Sequence, residues 1–317
     1  MAVRPFLRVL LWLNDKFGAE NPNSTLTERR AAEANSALSM RTLTRRPRAN
    51  LVTIKDYPVP VENGQIKIRL YRSRGDASLP VHVFIHGGSF WKGSVDEYDP
   101  LCRWYAASVG CAVASVEYRL PPEYPYPTSP EDCYAALCWV AQNASMLGID
   151  ASRISVGGVS AGGALAAAVA MMARDRAGPL LVFQLLEIPV TDTTLSQPSV
   201  GTFATGYLLT RAELAEGYGF YLSDPAQARE AYASPLLAED LSGLPPAFIM
   251  TAEYDPLRDE GEAYARRLKE AGVPVQLHRY AGHLHGSIYI TRWMPSARKA
   301  NADACAALRE AYNRASN

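Results

Sequence analysis

The sequence predicts an α/β protein: a mostly parallel, twisted sheet with helices on both faces. Three features point to this class. From about residue 80 onward, short apolar runs alternate with segments of helical periodicity. The runs themselves, such as "VHVFIHGG" and "CAVASVEYRL", are nearly continuous in apolar residues, as strands buried on both faces are. The two runs before them, "LVTIKDYPVP" and "GQIKIRLYRS", alternate apolar with polar and so predict an antiparallel, half-exposed edge.

In chain order, residues 1 to about 46 read as helical and polar-faced. Within them Leu7, Val9, Leu10, Leu13 and Phe17 recur at helical spacing, which predicts an amphipathic helix lying on something apolar. Its apolar stretch, Phe6 to Leu13, is interrupted by Arg8, no small-residue cleavage site follows, and no run approaches the ~20 residues of a membrane span. Stable membrane insertion is not expected, and a helix covering a pocket of the same protein is favoured over a peripheral anchor. The two alternating strands follow, then the buried strand ending at His86-Gly87-Gly88, a helix over 100–109 and the strand from Cys111. "TSPEDCYAALCWVAQNASMLG" reads as one helix with Ser129 as N-cap, Pro130 at N1 and Gly148 as stop. Strand "ISVGG" leads into a helix over 161–173, and strand "LLVFQLLEIPV" follows. Residues 192–235 break the rhythm with loops and the helical "TRAELAEGYGFYLS". Strand "AFIMTAEYD", helix "LRDEGEAYARRLKEAG", strand "VQLHRYAG" and a helix over 293–314 complete the chain. The last strand is expected at a sheet edge, and because edges pair, a homodimer through it is one expectation.

Composition narrows the function. With 48% hydrophobic residues in 317, the chain can fill a large core without disulfides or metals. Its 32 basic residues balance 32 acidic ones, so no basic field is available for a polyanion and nucleic-acid binding is not expected. Cys102, Cys111, Cys133, Cys138 and Cys305 form no CxxC pair and read as free thiols of a cytoplasmic protein.

The chemistry centres on Gly158-Val159-Ser160-Ala161-Gly162, between a short strand and a helix. G-x-S-x-G in that setting is a nucleophile elbow: the turn strains the serine backbone and brings strand and helix so close that only glycine fits at 158 and 162. The helix start offers unpaired N–H groups where an anion forms. A serine hydroxyl needs a base and an orienting acid, in the order Ser, Asp/Glu, His. His278 falls inside the last strand, whereas His283 and His285 lie in "YAGHLHG" beyond it, at the carboxyl end of the sheet where ligands bind. Spacing does not separate these two. Among the acids of "TAEYDPLRDEG", Asp255 is favoured and Glu253 is next, although Asp255 before Pro256 also reads as a helix N-cap. Asp259 and Glu260 are explained by the helix dipole there. The backbone N–H groups of Gly87, Gly88 and Ala161 form the expected oxyanion hole, at ~3 kcal/mol of transition-state stabilisation per donor. His86 is expected to brace that loop.

Together these segments make the chain resemble the hormone-sensitive-lipase-like esterases, the bacterial family IV of the α/β-hydrolase fold, over most of residues 50–290. The likeness rests on HGG at 86–88, "VEYRLPPEYPYPTSPEDC", "GVSAGG", "LPPAFIMTAEYDPLRDEG" and "YAGHLHG". It implies Asp255 as acid and His285, directly before glycine, as base. It further implies a helical cap made of residues 1–46 and 193–232 over a catalytic domain of 47–317. Phe6, Leu10, Leu13, Phe203, Tyr207 and Leu208 are expected to line the pocket under the cap, and Ser89, Phe90 and Val159 to adjoin it. Ser89 replaces the family's third glycine, Val159 its frequent Asp or Thr, and His283 brings a second imidazole near the base. The implied activity is cofactor-independent hydrolysis of short- to medium-chain carboxylic esters by water, without metal. An amide or specialised-metabolite acyl hydrolase, such as a deacetylase, is the alternative, and a hydrolytically dead receptor a lesser one.

Overall fold

A computed structural model describes residues 3–17, 24–36, 39–45, 51–75 and 78–315, the side chains of 13–17 and 40 excepted, so the expected role of Leu13 falls outside the described residues. Eight strands form one sheet: β1 (Val52–Val61), β2 (Gly64–Ser73), β3 (Leu79–Ile85), β4 (Ala112–Glu117), β5 (Ile149–Val159), β6 (Phe183–Glu187), β7 (Ala247–Tyr254) and β8 (Val275–Leu284). Their spatial order is β1-β2-β4-β3-β5-β6-β7-β8. The β1–β2 and β2–β4 pairs are antiparallel, and the remaining pairs are parallel. The antiparallel edge is thus the alternating pair of runs, and the opposite edge is β8, as the sequence predicts.

Period-two alternation along the central strands builds two separate cores. Val83, Ile85, Ala114, Leu186 and Ile249 face a layer containing residues of α5 (Thr128–Gln142), α7 (Ala161–Asp175) and α10 (Arg258–Glu270). Phe84, Val113, Leu185 and Phe248 face the opposite layer, with α4 (Asp99–Tyr105) and α11 (Pro295–Arg314). Because helices cover both faces, β3, β4 and β6 are buried at successive positions and are largely apolar, which explains their nearly continuous runs.

Two helix boundaries differ from the sequence expectation. The long helix is split: α5 ends at Gln142, and α6 (Ala144–Leu147) carries on to Gly148, which closes it in the left-handed conformation at φ 65°. Ser129 lies inside the first turn, and its hydroxyl donates to the carbonyl of Arg119 at 3.1 Å instead of capping. α10 begins at Arg258, with Leu257 at the cap position, and Asp255 just before it accepts from the Leu257 N–H at 2.9 Å.

Near the N-terminus, α1 (Pro5–Phe17) presses Leu7 and Leu10 into a third cluster with Leu43, Leu284, Ile290 and Met294. α2 (Leu26–Asn35) buries none of its own residues and is held by polar contacts. Arg29 pairs with Glu216 of α9 (Arg211–Tyr221) at 2.7 Å, and Arg30 donates to the carbonyls of Trp91 and Pro121. α3 (Met40–Leu43) and α8 (Pro198–Thr202) complete the α-helices among the described residues. Among the described residues no helix is long and apolar enough to cross a membrane.

One buried acid carries a pH signature. Glu187, at the end of β6, is fully buried, with Oε2 accepting from the Tyr289 hydroxyl at 2.9 Å. Burial pushes its pKa up to about 7. A folded-state value above the unfolded one stabilises fully below the unfolded pKa and loses that stability as pH rises toward 7. Glu187→Gln keeps an acceptor for Tyr289 and removes the titration. The variant is expected to gain roughly 3 kcal/mol relative to the parent between pH 4.5 and pH 8, read from urea melts at both pH values.

Candidate active site

Ser160 stands between β5 and α7 at φ 56° and ψ −118°. Its N–H donates to the Glu187 carbonyl at 2.9 Å, and its own carbonyl accepts from Gly163, Ala164 and Val190, so the strained peptide is pinned from both sides. The flanking glycines follow from crowding. A Cβ at Gly158 would lie 2.3 Å from the Gly162 carbonyl oxygen, and one at Gly162 would lie 2.2 Å from that of Ile85. Gly162→Ala is therefore expected to cost about 3 kcal/mol in a denaturant melt, because only backbone movement makes room.

The chain Ser160, His285, Asp255 is closed by hydrogen bonds. His285 Nε2 lies 3.1 Å from Ser160 Oγ, and His285 Nδ1 lies 2.8 Å from Asp255 Oδ2. A buried carboxylate opposite Nδ1 fixes the tautomer: Nδ1 donates to it, and Nε2 accepts from the serine hydroxyl. Asp255 is itself held by the Leu257 N–H, which donates to Oδ1 at 2.9 Å. Three elements meet here: the β5–α7 turn, the end of β7 and the loop after β8.

The alternatives left open by spacing occupy other places. Glu253 Oε2 accepts from the Gly282 N–H at 2.7 Å, tying the acid's loop to the base's loop. His283 turns away from the serine: Nδ1 lies 2.8 Å from Ser287 Oγ and Nε2 2.9 Å from Ser296 Oγ. Burial, with Arg4 adding to it, depresses its pKa to about 4, so it is a neutral brace beside the base. His278 sits exposed on β8, with ring contacts to Phe248 and Tyr280. Glu260 is fully buried and is not a surface partner of the helix dipole. Its Oε1 accepts from the N–H groups of Thr191 and Asp192, and burial raises its pKa well above the ordinary range. Neither Glu253 nor Glu260 gave a sequence signal for these bonds, because their backbone partners are distant in the chain.

Gly87, Gly88 and the first residue of α7, Ala161, gather at the same end of the sheet. A Cβ at Gly87 would lie 2.6 Å from the Val159 carbonyl and 3.4 Å from Ser160 Cβ, so this loop runs directly beside the serine. Gly88 has φ 127°, a conformation open to glycine. Ala161 opens its helix, so its N–H has no partner one turn back. Behind the loop, His86 Nδ1 lies 2.9 Å from the Gly87 carbonyl, and its ring stacks on Tyr118.

The expected pocket residues divide. Phe203 and Tyr207 form an aromatic cluster with Tyr254, next to Asp255, and Tyr207 and Leu208 pack on the cluster holding Leu10 and Leu284. Ser89 is half-buried against α9, where a Cβ at Gly217 would lie 2.8 Å from its carbonyl. Three further residues are placed by their packing. Phe90 is fully buried and stacks on Tyr221 at 3.9 Å, because φ 69° turns it into the core. Val159 belongs to the opposite core layer, with Phe84 and Ile188, because strand alternation turns it away from the loop face. Phe6 is 43% exposed and stacks on Trp293, since Leu7 and Leu10 define the inward face of α1. A cleft of about 390 Å³ along α9, with Thr193, Tyr218 and Arg229 in its walls, includes none of Ser160, Asp255 or His285.

Comparison with known proteins bears on the fold and the class of activity. A sequence model described as the alpha/beta hydrolase fold matches residues 82–289. The carboxylic ester hydrolase LipN of Mycobacterium tuberculosis is 45% identical over 245 residues, which are 74% of this chain and 64% of LipN. The carboxylesterase NlhH of the same organism is 44% identical over 239 residues, 74% of this chain and 75% of NlhH. The solved hyperthermophilic esterase of the archaeon Pyrobaculum calidifontis superposes with a TM-score of 0.91 at 38% identity, covering 98% of this chain and 99% of that one.

Proposed function

The chain belongs to the α/β-hydrolase fold family, among its hormone-sensitive-lipase-like esterases, and from that premise we propose that it is a serine carboxylesterase with Ser160 as nucleophile, His285 as base and Asp255 as its orienting acid. The observation that carries the assignment is the unbroken pair of hydrogen bonds, 3.1 Å and 2.8 Å, through the imidazole of His285. Ser160 Oγ attacks the ester carbonyl as His285 Nε2 takes its proton, and the Asp255 carboxylate stabilises the imidazolium. The backbone N–H groups of Gly87, Gly88 and Ala161 stabilise the tetrahedral oxyanion. His285 then gives its proton to the departing alcohol, and water hydrolyses the acyl-enzyme by the same route.

Residues 1–46 and 193–232 act as a cap over the catalytic domain of 47–317. This reading is supported by the Arg29–Glu216 pair between the two cap pieces and by Ser199, whose hydroxyl donates to the Pro256 carbonyl beside the acid. Phe203, Tyr207 and Leu208 flank the acyl group and favour short to medium chains. Five free cysteines, four of them buried, fit a cytoplasmic setting. The exposed edge of β8 is the surface for a homodimer, to be read by light scattering. Activity against p-nitrophenyl esters of graded chain length tests the assignment. Turnover is expected to be highest from acetate to about octanoate and to collapse for long chains. Absence of hydrolysis across the series overturns the ester reading, and a preference for matching anilides over esters redirects it to amides.

A further inference from the structure

The outward side of α1 and the surface around it differ from the rest of the molecule in two independent ways. The first is apolar exposure. Phe6, Val9 and Trp12 recur every three residues along α1 and are 43%, 57% and 56% exposed, and Trp293, 50% exposed, stacks on Phe6 at 6.4 Å. Among the described residues, these four make up nearly half of the nine large apolar side chains most exposed. Leu7 and Leu10 anchor the helix to the fold from its inner side.

The second is charge. Three segments build this surface: residues 3–12, 39–45 and 286–298. The Arg292 N–H donates to the Leu43 carbonyl, the Arg45 N–H donates to Thr291 Oγ1, and Leu7, Leu43 and Ile290 share one apolar cluster. The segments contain Arg4, Arg8, Arg41, Arg45, Arg292 and Arg298 and no aspartate or glutamate, in a chain whose net charge is zero. Arg8, Arg41, Arg45 and Arg292 are exposed, and the Arg292 guanidinium lies 5.6 Å from the ring of Trp293. Tryptophan and phenylalanine beside arginines, with no carboxylate among the described side chains of these three segments, is the chemistry of a membrane–water interface.

We propose that this face seats the protein reversibly on an anionic phospholipid surface. The Phe6–Val9–Trp12 stripe and Trp293 enter the headgroup layer, and the surrounding arginines meet lipid phosphates. The apolar layer beneath α1 includes Leu284, directly before His285, so the seated face adjoins the loop that carries the base. Binding is peripheral and falls with salt.

Vesicle sedimentation of the full chain tests this without reference to hydrolysis. The protein is expected to sediment with phosphatidylglycerol–phosphatidylcholine vesicles at low ionic strength and not with phosphatidylcholine alone. Arg8→Glu/Arg41→Glu is expected to lose more than about tenfold in apparent affinity, since each arginine near an anionic surface contributes about fivefold. Val9→Asp/Trp293→Ser is expected to lose at least as much. All four positions are exposed, so unchanged melting and unchanged hydrolysis of a soluble short ester verify folding. The proposal is overturned if the parent ignores anionic vesicles or if both double variants bind as it does. It is also overturned if light scattering finds a dimer that both variants convert to monomer, which would make a second copy of the chain the occupant.

Discussion

Ser160→Ala is expected to lower kcat for a p-nitrophenyl ester by roughly five to six orders of magnitude, leaving the residual rate of a site that binds ester without a nucleophile. The reason is local. Ser160 Oγ is the atom facing His285 Nε2, and the elbow that presents it is held by backbone bonds to Glu187, Gly163, Ala164 and Val190, which alanine keeps. KM and the denaturation midpoint are therefore expected to change little while turnover collapses. A fall in stability of equal size in place of the kinetic loss would mean that the serine serves the fold.

Asp255→Asn is expected to lower kcat by about four orders of magnitude through the tautomer of the base. Asp255 Oδ1 accepts from the Leu257 N–H. In the variant the amide oxygen is needed there, so the amide NH2 faces His285 Nδ1. That nitrogen must then accept, the proton moves to Nε2, and the serine loses its acceptor. The kinetic loss is expected to shrink at high pH, where serine ionisation no longer depends on the imidazole. Parent-like turnover at neutral pH would show that the 2.8 Å contact does not orient the base.

The parts of the fold that were legible in the sequence are those encoded by steric or periodic necessity. Continuous apolar runs marked strands covered on both faces, and alternating runs marked the antiparallel edge. The glycines at 158 and 162 recorded a backbone approach that a Cβ would meet at 2.3 Å or less. What was not legible depended on long-range hydrogen bonds competing with local rules. Ser129 and Asp255 both sit where helix caps belong, yet one serves the Arg119 carbonyl and the other divides its carboxylate between the Leu257 N–H and His285. Glu260 follows the helix-start pattern, but it satisfies two buried N–H groups some seventy residues away in the chain. His283 and His285 are two residues apart with similar neighbours, and only the third dimension sends one to Ser287 and Ser296 and the other to Ser160. Val9 followed the apolar periodicity of α1 but fell on its outer side, and Phe6, expected under the cap, lies there too, because Leu7 and Leu10 set the inner one.

The most direct measurement is covalent labelling with a fluorophosphonate, followed by intact-mass and peptide mass spectrometry. A serine activated through His285 and Asp255 takes up one phosphonyl group per chain, on the peptide carrying Ser160, with hydrolysis lost in proportion. Full hydrolytic activity with no label at Ser160, or a label on another serine that abolishes activity, would contradict it.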